Sequence, residues 1–323
     1  MRATSITRVW ARVSRRPLAR ASVVVLCLLC LVGVFAEVLA SPAPLLSFGP
    51  RGTSLFPAVT RAAEYDGRSR RDIDRLHAGN TVVWPLVRFG PAMADDTPVG
   101  HPLGTDAQGR DLWARLIYGT RTALGLASAA VTLGLLLGLL LGGLAGYERG
   151  FWNDRLVRLV ETIDTFPAIL VVALVRAIEE KPSALSLVIT VGLVRWAEIA
   201  RLVRAAVLRE SAEDYVLAAR ALGASPFRVF ARHILPNTLD AAIVSSVFGV
   251  ASVVLLETAI SFLGMGAPSS SASWGETLAE GAAEPARIEL LLWPGGLLLL
   301  TVGATYGLAT ALREALAPRE EPS

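Results

Sequence analysis

The chain alternates between long apolar runs and shorter polar connections. The longest run without a charge extends from Thr122 to Tyr147, and a helix needs about 20 apolar residues to cross a bilayer. We predict membrane-spanning helices at 21–40, 121–147, 156–178, 183–205, 238–266 and 288–311. A soluble protein can bury one such helix in its core, but not six. The pattern therefore predicts an all-α membrane protein with about six transmembrane helices.

Two of the predicted spans carry small residues at every fourth position. These are Gly134, Gly138, Gly142 and Gly146 in the second span, and Gly303, Gly307 and Ala311 in the sixth. Such stripes let helix backbones approach closely inside a membrane. They predict close packing, either within the chain or against a partner subunit.

The third span is the least apolar of the six. Arg158, Glu161 and Asp164 occupy its first half, near one membrane surface, where charged side chains can reach water. The Phe166-Pro167 step that follows predicts a kink in the helix.

Composition supports a membrane protein and excludes several other classes. Hydrophobic residues make up 53% of the 323 residues and charged residues only 18%, against about 25% in soluble domains. The net charge is +3 and no soluble basic domain is present, so we expect no nucleic-acid partner. Cys27 and Cys30 have the C-x-x-C spacing of redox or metal sites, but they lie inside an apolar run and are predicted to be inert.

The distribution of arginine predicts the orientation. Residues 1–20 carry six arginines and no acid, which places the N-terminus in the cytoplasm by the positive-inside rule. The apolar segment 21–40 is interpreted as an uncleaved first helix, with a signal peptide as the alternative. Residues 41–118 then form a long extracytoplasmic loop, 119–312 the core domain, and 313–323 a cytoplasmic C-terminus.

A polar segment at 209–237, between the fourth and fifth spans, has the pattern of two short amphipathic helices. The first has an apolar face of Tyr215, Ala218, Ala219 and Leu222, and Gly223 ends it. Ser225 and Pro226 are a helix cap and a first helical residue. The second face comprises Phe227, Phe230, Ala231 and Ile234, and Pro236 interrupts it. Such a capped helix pair is suited to binding in a groove of another protein, or alternatively to lying on lipid headgroups.

This segment resembles the cytoplasmic "EAA" loop of binding-protein-dependent ABC permeases. The matching positions are Ala218, Ala219, Gly223, Leu235 and Pro236. Leu217 stands where the family usually has Glu, which puts in doubt only the salt bridge that a Glu would offer an ATPase. His233 takes the place of an Ile, as is typical of the oligopeptide, dipeptide and nickel branch.

Further segments are similar to the same branch. They are 101–106 with 109–121, Gly146-Tyr147 with Asp154, and 261–266 with 273–281. Residues 84–88 are similar to permeases of microcin C and peptide importers. Together the matches cover most of 101–318 in chain order.

The resemblance implies a type I ABC importer permease for peptides that forms half of a translocation path in the bacterial inner membrane. It implies two ABC ATPase subunits, a second permease, an extracytoplasmic binding protein and membrane lipid as partners. It also implies a coupling loop made of Tyr215, Ala218, Ala219, Gly223, Phe227, Phe230, Leu235 and Pro236. We expect no enzyme activity, cofactor or metal. The only lysine, Lys181, is followed by Pro182, so no Walker A loop is present.

Charged residues inside the spans are candidates for the path, because they are costly unless paired or wet. Glu257 is the clearest; it is interpreted either as a polar anchor between helices or as a contact for a substrate amine. Arg195, Glu198, Arg201 and Arg204 are interpreted as a solvated or interface ion network near the cytoplasmic end of the fourth span. The alternative function is a proton-coupled secondary transporter that uses Glu161, Asp164 and Glu257.

Overall fold

The computed structural model describes residues 6–50, 52–61, 64–65, 68–94, 100–148, 150–266 and 272–316. In these ranges the helices are α1 (Ile6–Val13), α2 (Pro17–Val34), α3 (Ala36–Leu39), α4 (Pro57–Thr60), α5 (Arg70–Leu76), α6 (Leu112–Glu148), α7 (Phe151–Asp164), α8 (Ala168–Ile178), α9 (Ala184–Glu210), α10 (Asp214–Ala221), α11 (Pro226–Val229), α12 (Leu235–Phe262), α13 (Trp274–Ala283) and α14 (Glu289–Leu316). The strands are β1 (Leu46–Phe48), β2 (Ser54–Leu55) and β3 (Thr81–Val83). The chain is therefore mostly helical, as predicted.

Four of these helical segments are long and apolar enough to cross a membrane. They are α2, α6, the continuous helix Pro226–Phe262, and α14. The chain also crosses the bundle in α7–α8 and in α9, but α7 is polar and α8 is short. The count of six spans therefore stays a prediction.

The third predicted span is interrupted rather than kinked. Helix α7 ends at Asp164, and Pro167 then takes an extended backbone conformation as the N-cap of α8. Proline has no N–H to donate and disfavours helical geometry at the preceding residue, so the break falls at the Phe166-Pro167 step. The prediction from the sequence therefore has the correct position, but it expected a bend where the helix is interrupted.

The centre of the bundle is a tight contact between α6 and α9. A Cβ atom on Gly138 would lie 2.6 Å from Ile199 Cγ2, and one on Gly146 would lie 2.9 Å from the Arg204 carbonyl. The glycine stripe of α6 therefore serves packing within the chain. In α14, a Cβ atom on Gly307 would meet Ser22 of α2, whereas one on Gly303 would have no atom of a described residue within 4 Å.

The predicted interruption at Pro236 is wrong. Residues Phe230–Ile234 form a π-helical turn that joins α11 to α12 without a break. The wider turn accommodates Pro236, which lacks an N–H and would otherwise crowd the carbonyl four residues before it. The second short helix is thus continuous with the fifth predicted span.

The predicted extracytoplasmic loop contains a small antiparallel sheet in the order β2-β1-β3, with Leu46 opposite both Leu55 and Val83. This sheet is an addition to the predicted all-α fold. It lies at the end of the bundle where α6 begins, opposite the end where α9 turns into α10.

Candidate functional site: an exposed two-helix knob

Residues 211–229, which we call the knob, project from one end of the bundle between α9 and α12. Gly223 has φ +79° and ends α10, a conformation that glycine adopts without strain. The Ser225 side chain accepts a hydrogen bond from the Arg228 N–H at 3.4 Å, and Pro226 is the first residue of α11. The corner and the cap are as the sequence predicts.

Two fully buried residues of the knob, together with Ile234 just after it, fix the knob to the bundle. Val216, Val229 and Ile234 are each 0% exposed and pack with Ile199, Val203, Val207 and Ala242 of α9 and α12. Burying an aliphatic side chain contributes roughly 1.5–3 kcal/mol. The knob is therefore part of the folded core rather than a separate loop.

Tyr215 adds a polar attachment between three segments. Its hydroxyl donates to Glu210 Oε2 at 2.7 Å and accepts from Asn237 Nδ2 at 2.8 Å. Burial, together with the hydrogen bond to Glu210, raises the pKa of Tyr215 to about 12. The hydroxyl thus stays protonated and continues to donate at physiological pH.

Helix α6 supplies a further attachment that the sequence did not reveal. The Tyr147 hydroxyl donates to the Pro226 carbonyl at 2.9 Å, and the Tyr147 and Phe230 rings lie 5.3 Å apart. Arg220 stands over the Tyr147 ring at 5.7 Å. A movement of the knob must consequently be transmitted to α6 as well as to α9 and α12.

The outer surface of the knob is apolar. Leu222 is 88% exposed, Phe227 79% and Leu217 50%, with the charged residues Asp214, Arg220 and Arg228 beside them. Large exposed apolar side chains with a polar rim mark a contact surface. This surface can bind a complementary groove.

The predicted coupling residues divide between this surface and the core. Exposed are Tyr215, Ala218, Gly223, Phe227 and Pro236, and half-buried are Ala219, Phe230 and Leu235. The predicted apolar face of α10 exists, but Ala218 and Leu222 on it point outward, and Val216 makes the inward apolar contact instead. Among the residues that the structure describes, nothing covers this outward surface, which favours a contact with another molecule.

At the opposite end of the bundle, the segment before α6 forms a buried ionic cluster with α13. Arg110 pairs with Asp106 at 2.5 Å and with Glu280 at 2.7 Å. Arg115 is 0% exposed and lies 3.0 Å from Glu276 Oε2. Burial raises the pKa of Glu280, and the nearby Asp106 carboxylate adds to this. These residues of the 101–121 motif join two segments of the chain.

His101 and Asp111 of the same motif form a second buried pair. The His101 Nδ1 and Asp111 Oδ2 atoms are 2.8 Å apart, and the His101 ring stacks on Phe89 at 4.1 Å. Burial raises the pKa of Asp111, whereas hydrogen bonds from the Ala114 N–H and from His101 lower it. The pair attaches the start of α6 to the loop before it.

Glu257 is buried inside the chain near the same end. Its Oε1 atom accepts hydrogen bonds from Ser261 at 2.7 Å and from Ser273 at 2.9 Å, and its side chain is among the largest that are fully buried. This geometry favours a polar anchor between α12 and the start of α13. A contact between Glu257 and substrate stays an untested prediction.

Comparison with known proteins decides the family. Residues 134–320 match the family model described as a binding-protein-dependent transport system inner membrane component. The chain belongs to this family. It is thus a multi-pass inner-membrane transport protein, and family membership favours this function over the secondary-transporter alternative.

Relatives from three bacteria have consistent names. The chain is 34% identical to the oligopeptide transport system permease protein OppC of Escherichia coli K12, over 73% of this chain and 77% of that one. It is 31% identical to OppC of Bacillus subtilis, over 68% and 72% of the two chains. A Brucella suis protein, provisionally named a peptide transport system permease, is 36% identical over 68% and 74%.

Proposed function

We propose that this chain is the permease subunit of an ATP-driven peptide importer, and that the knob couples it to the ATPases. Support for peptides as the substrate class comes from the names of the relatives. Support for coupling comes from the apolar surface at Leu217, Leu222 and Phe227, which is exposed among the described residues.

The proposed complex contains two ATPases, a second permease and an extracytoplasmic binding protein. The family description names dependence on a binding protein, and the sequence has no Walker A loop of its own. The energy of ATP hydrolysis must therefore come from another chain. One permease of this size supplies half of the path in this arrangement.

In the proposed orientation, residues 1–20, the segment 209–237 and residues 313–323 are cytoplasmic, and 41–118 are extracytoplasmic. The arginine-rich N-terminus supports this orientation. The end of α1 and the end of α14 also lie together, since Arg12 Nη1 donates to the Ala315 carbonyl at 2.7 Å. The direction of α14 brings that end to the same side of the bundle as the knob.

In the proposed mechanism, closure of the ATPases moves the knob as a rigid lever. Tyr147, Glu210 and Asn237 hold the knob on α6, α9 and α12, so a displacement at Leu222 tilts all three helices. Tilting of packed helices changes access from one side of the membrane to the other. The coupling is conformational, with no covalent chemistry in this chain.

The substitution Leu222→Glu tests the proposal. A carboxylate would replace the most exposed leucine of the knob and would be buried unpaired in the ATPase groove, at a cost of several kcal/mol. We expect the ATPases to bind at least about tenfold more weakly, measured by co-purification of the complex from membranes. The fold of this chain should be unchanged because the Leu222 side chain is 88% exposed.

Leu86→Glu is the matched control. Leu86 is 73% exposed and lies in the proposed extracytoplasmic loop, so the same change there should leave ATPase binding intact. If the Leu222→Glu variant retained all of its ATPase, the knob would not be the coupling surface, and the alternative of a helix pair on lipid headgroups would be favoured.

A further inference from the structure

Arg195 and Glu198 form a charged pair in the middle of the bundle. The sequence instead predicts that they belong to an ion network near the cytoplasmic end of the fourth span. Arg195 is roughly 17 Å along α9 from its first residue, Ala184, at 1.5 Å per residue. It packs against Gly134, near the middle of α6, and Gly249, near the middle of α12. In the proposed six-span topology, in which α9 crosses the membrane, this level is close to the centre of a hydrocarbon core that is about 30 Å thick.

Helix α12 has a notch that accommodates the Arg195 guanidinium. A Cβ atom on Gly249 would lie 3.0 Å from Arg195 Nη2, so any larger residue at 249 would crowd the charged group. Two helices, α9 and α12, thus contribute to the placement of this arginine. A guanidinium at this depth is built into the packing of the bundle.

The Arg195 guanidinium has partners for only some of its hydrogen-bond donors. Arg195 Nη1 pairs with Glu198 Oε2 at 2.7 Å, and the two side chains are 15% and 42% exposed. Among the described residues, the buried Arg195 Nε has no hydrogen-bond partner. A charge of this kind costs about 2.5–3.5 kcal/mol at the centre of a membrane helix, so it is retained at a cost to stability.

The face that carries Glu198 is polar over more than one turn. Arg201, one turn further along α9, pairs with Asp164 at the end of α7, and their side chains are 55% and 37% exposed. The interruption between α7 and α8 follows directly after Asp164. Exposed charges of both signs do not face lipid tails. This face must contact water or another protein.

We propose that Arg195 lies in the translocation path and binds the carboxylate of a passing substrate, such as the C-terminus of a peptide. This inference rests on the proposed function. The substrate carboxylate takes the place of Glu198 on Nη1, so the guanidinium stays paired throughout the exchange. Glu198 is then left beside Arg201, one turn away. Exchange between two carboxylates gives weak binding, which a transport path needs for release.

The test compares import of one peptide with a free C-terminus and the same peptide with an amidated C-terminus. The complete transporter is reconstituted in proteoliposomes as wild type, Arg195→Gln or Arg195→Lys. The binding protein is the same in each, so a change in the acid-to-amide uptake ratio reports on the permease. We expect Arg195→Gln to lower this ratio about threefold, and Arg195→Lys to retain most of it because the charge remains.

Arg15→Gln is the control for loss of one positive charge. Arg15 is exposed in the N-terminal segment, and its replacement should leave the ratio unchanged. The proposal is wrong if Arg195→Gln leaves the ratio at the wild-type value, or if it lowers uptake of both peptides equally. Two further results together would also contradict it: the second permease dissociates from the Arg195→Gln variant, and the assembled Arg195→Lys complex no longer prefers the peptide with a free C-terminus. In that case Arg195 would serve the subunit interface rather than substrate binding. Failure of the wild-type complex to import either peptide would instead contradict the proposed function.

Discussion

Single buried arginines join segments that are distant in the sequence. Arg176 in α8 has a side chain that is 1% exposed and pairs with Glu179 at 2.7 Å. It also donates to the carbonyls of Met265, at 2.9 Å, and Gly266 beyond the end of α12, and to Ser186 Oγ at 3.0 Å in α9. One guanidinium therefore connects the ends of three helices.

We expect Arg176→Met to destabilise the protein severely. The methionine fills much of the same volume, but it removes the arginine donor from Glu179 and from the carbonyls of Ser183, Met265 and Gly266, and breaking a buried pair in this way costs about 3–5 kcal/mol. The thermal unfolding midpoint in detergent measures this. Arg71→Met, at an exposed position of α5, is the control, and equal midpoints for the two variants would contradict the role of Arg176.

At the scale of helices, the contact between α6 and α9 depends on the absence of side chains. A Cβ atom on Gly142 would run into the backbone of Ala200, and backbone cannot move aside as a side chain can. Helices without a hydrophobic force between them associate through such close contact. The α6–α9 pair carries the knob at one end, so its spacing also sets the position of the knob.

Gly142→Leu should therefore separate α6 from α9. Overpacking of a tight contact costs about 1–3 kcal/mol, and we expect less folded monomer in size-exclusion chromatography of the solubilised protein. Gly125→Leu in the same helix is the matched control, since no atom of the described part of the chain lies within 4 Å of a Cβ at that position. If Gly142→Leu and Gly125→Leu gave the same amount of folded monomer, the glycine stripe would have no packing role.

The sequence predicts the features of the knob that are decided locally. Ser225 and Pro226 satisfy the backbone at a helix start, and Gly223 supplies the positive φ that a helix end needs. These requirements depend on neighbours in the sequence alone. The same holds for the break at Pro167, although its extent was underestimated.

Features that depend on tertiary contact could not be predicted in this way. Periodicity identified an apolar face on α10 but not its direction, because that depends on where α9 and α12 lie. Tyr147 binds Pro226 across 79 residues of sequence, and no pattern within α6 indicates this. The path of the chain through Pro236 likewise depends on a π-helical turn that the sequence alone does not specify.

At the scale of the whole molecule, the two ends of the bundle differ in construction. One end is closed by buried ionic contacts such as Arg115 with Glu276, and by Glu257 with two serines. The other end exposes the apolar knob. A permease needs this asymmetry if one side receives substrate and the other receives force from an ATPase.

Thiol labelling of Leu222→Cys tests the central claim most directly. In a background with serine at positions 27 and 30, a membrane-impermeant maleimide should label this variant in inside-out vesicles only, and bound ATPases should block the labelling. Arg75→Cys, in the proposed extracytoplasmic loop and 81% exposed in the native side chain, should be labelled only in right-side-out vesicles, whether or not ATPase is present. Labelling of Leu222→Cys from the outside, or at an unchanged rate with the ATPases bound, would contradict the claim that the knob is the cytoplasmic coupling surface.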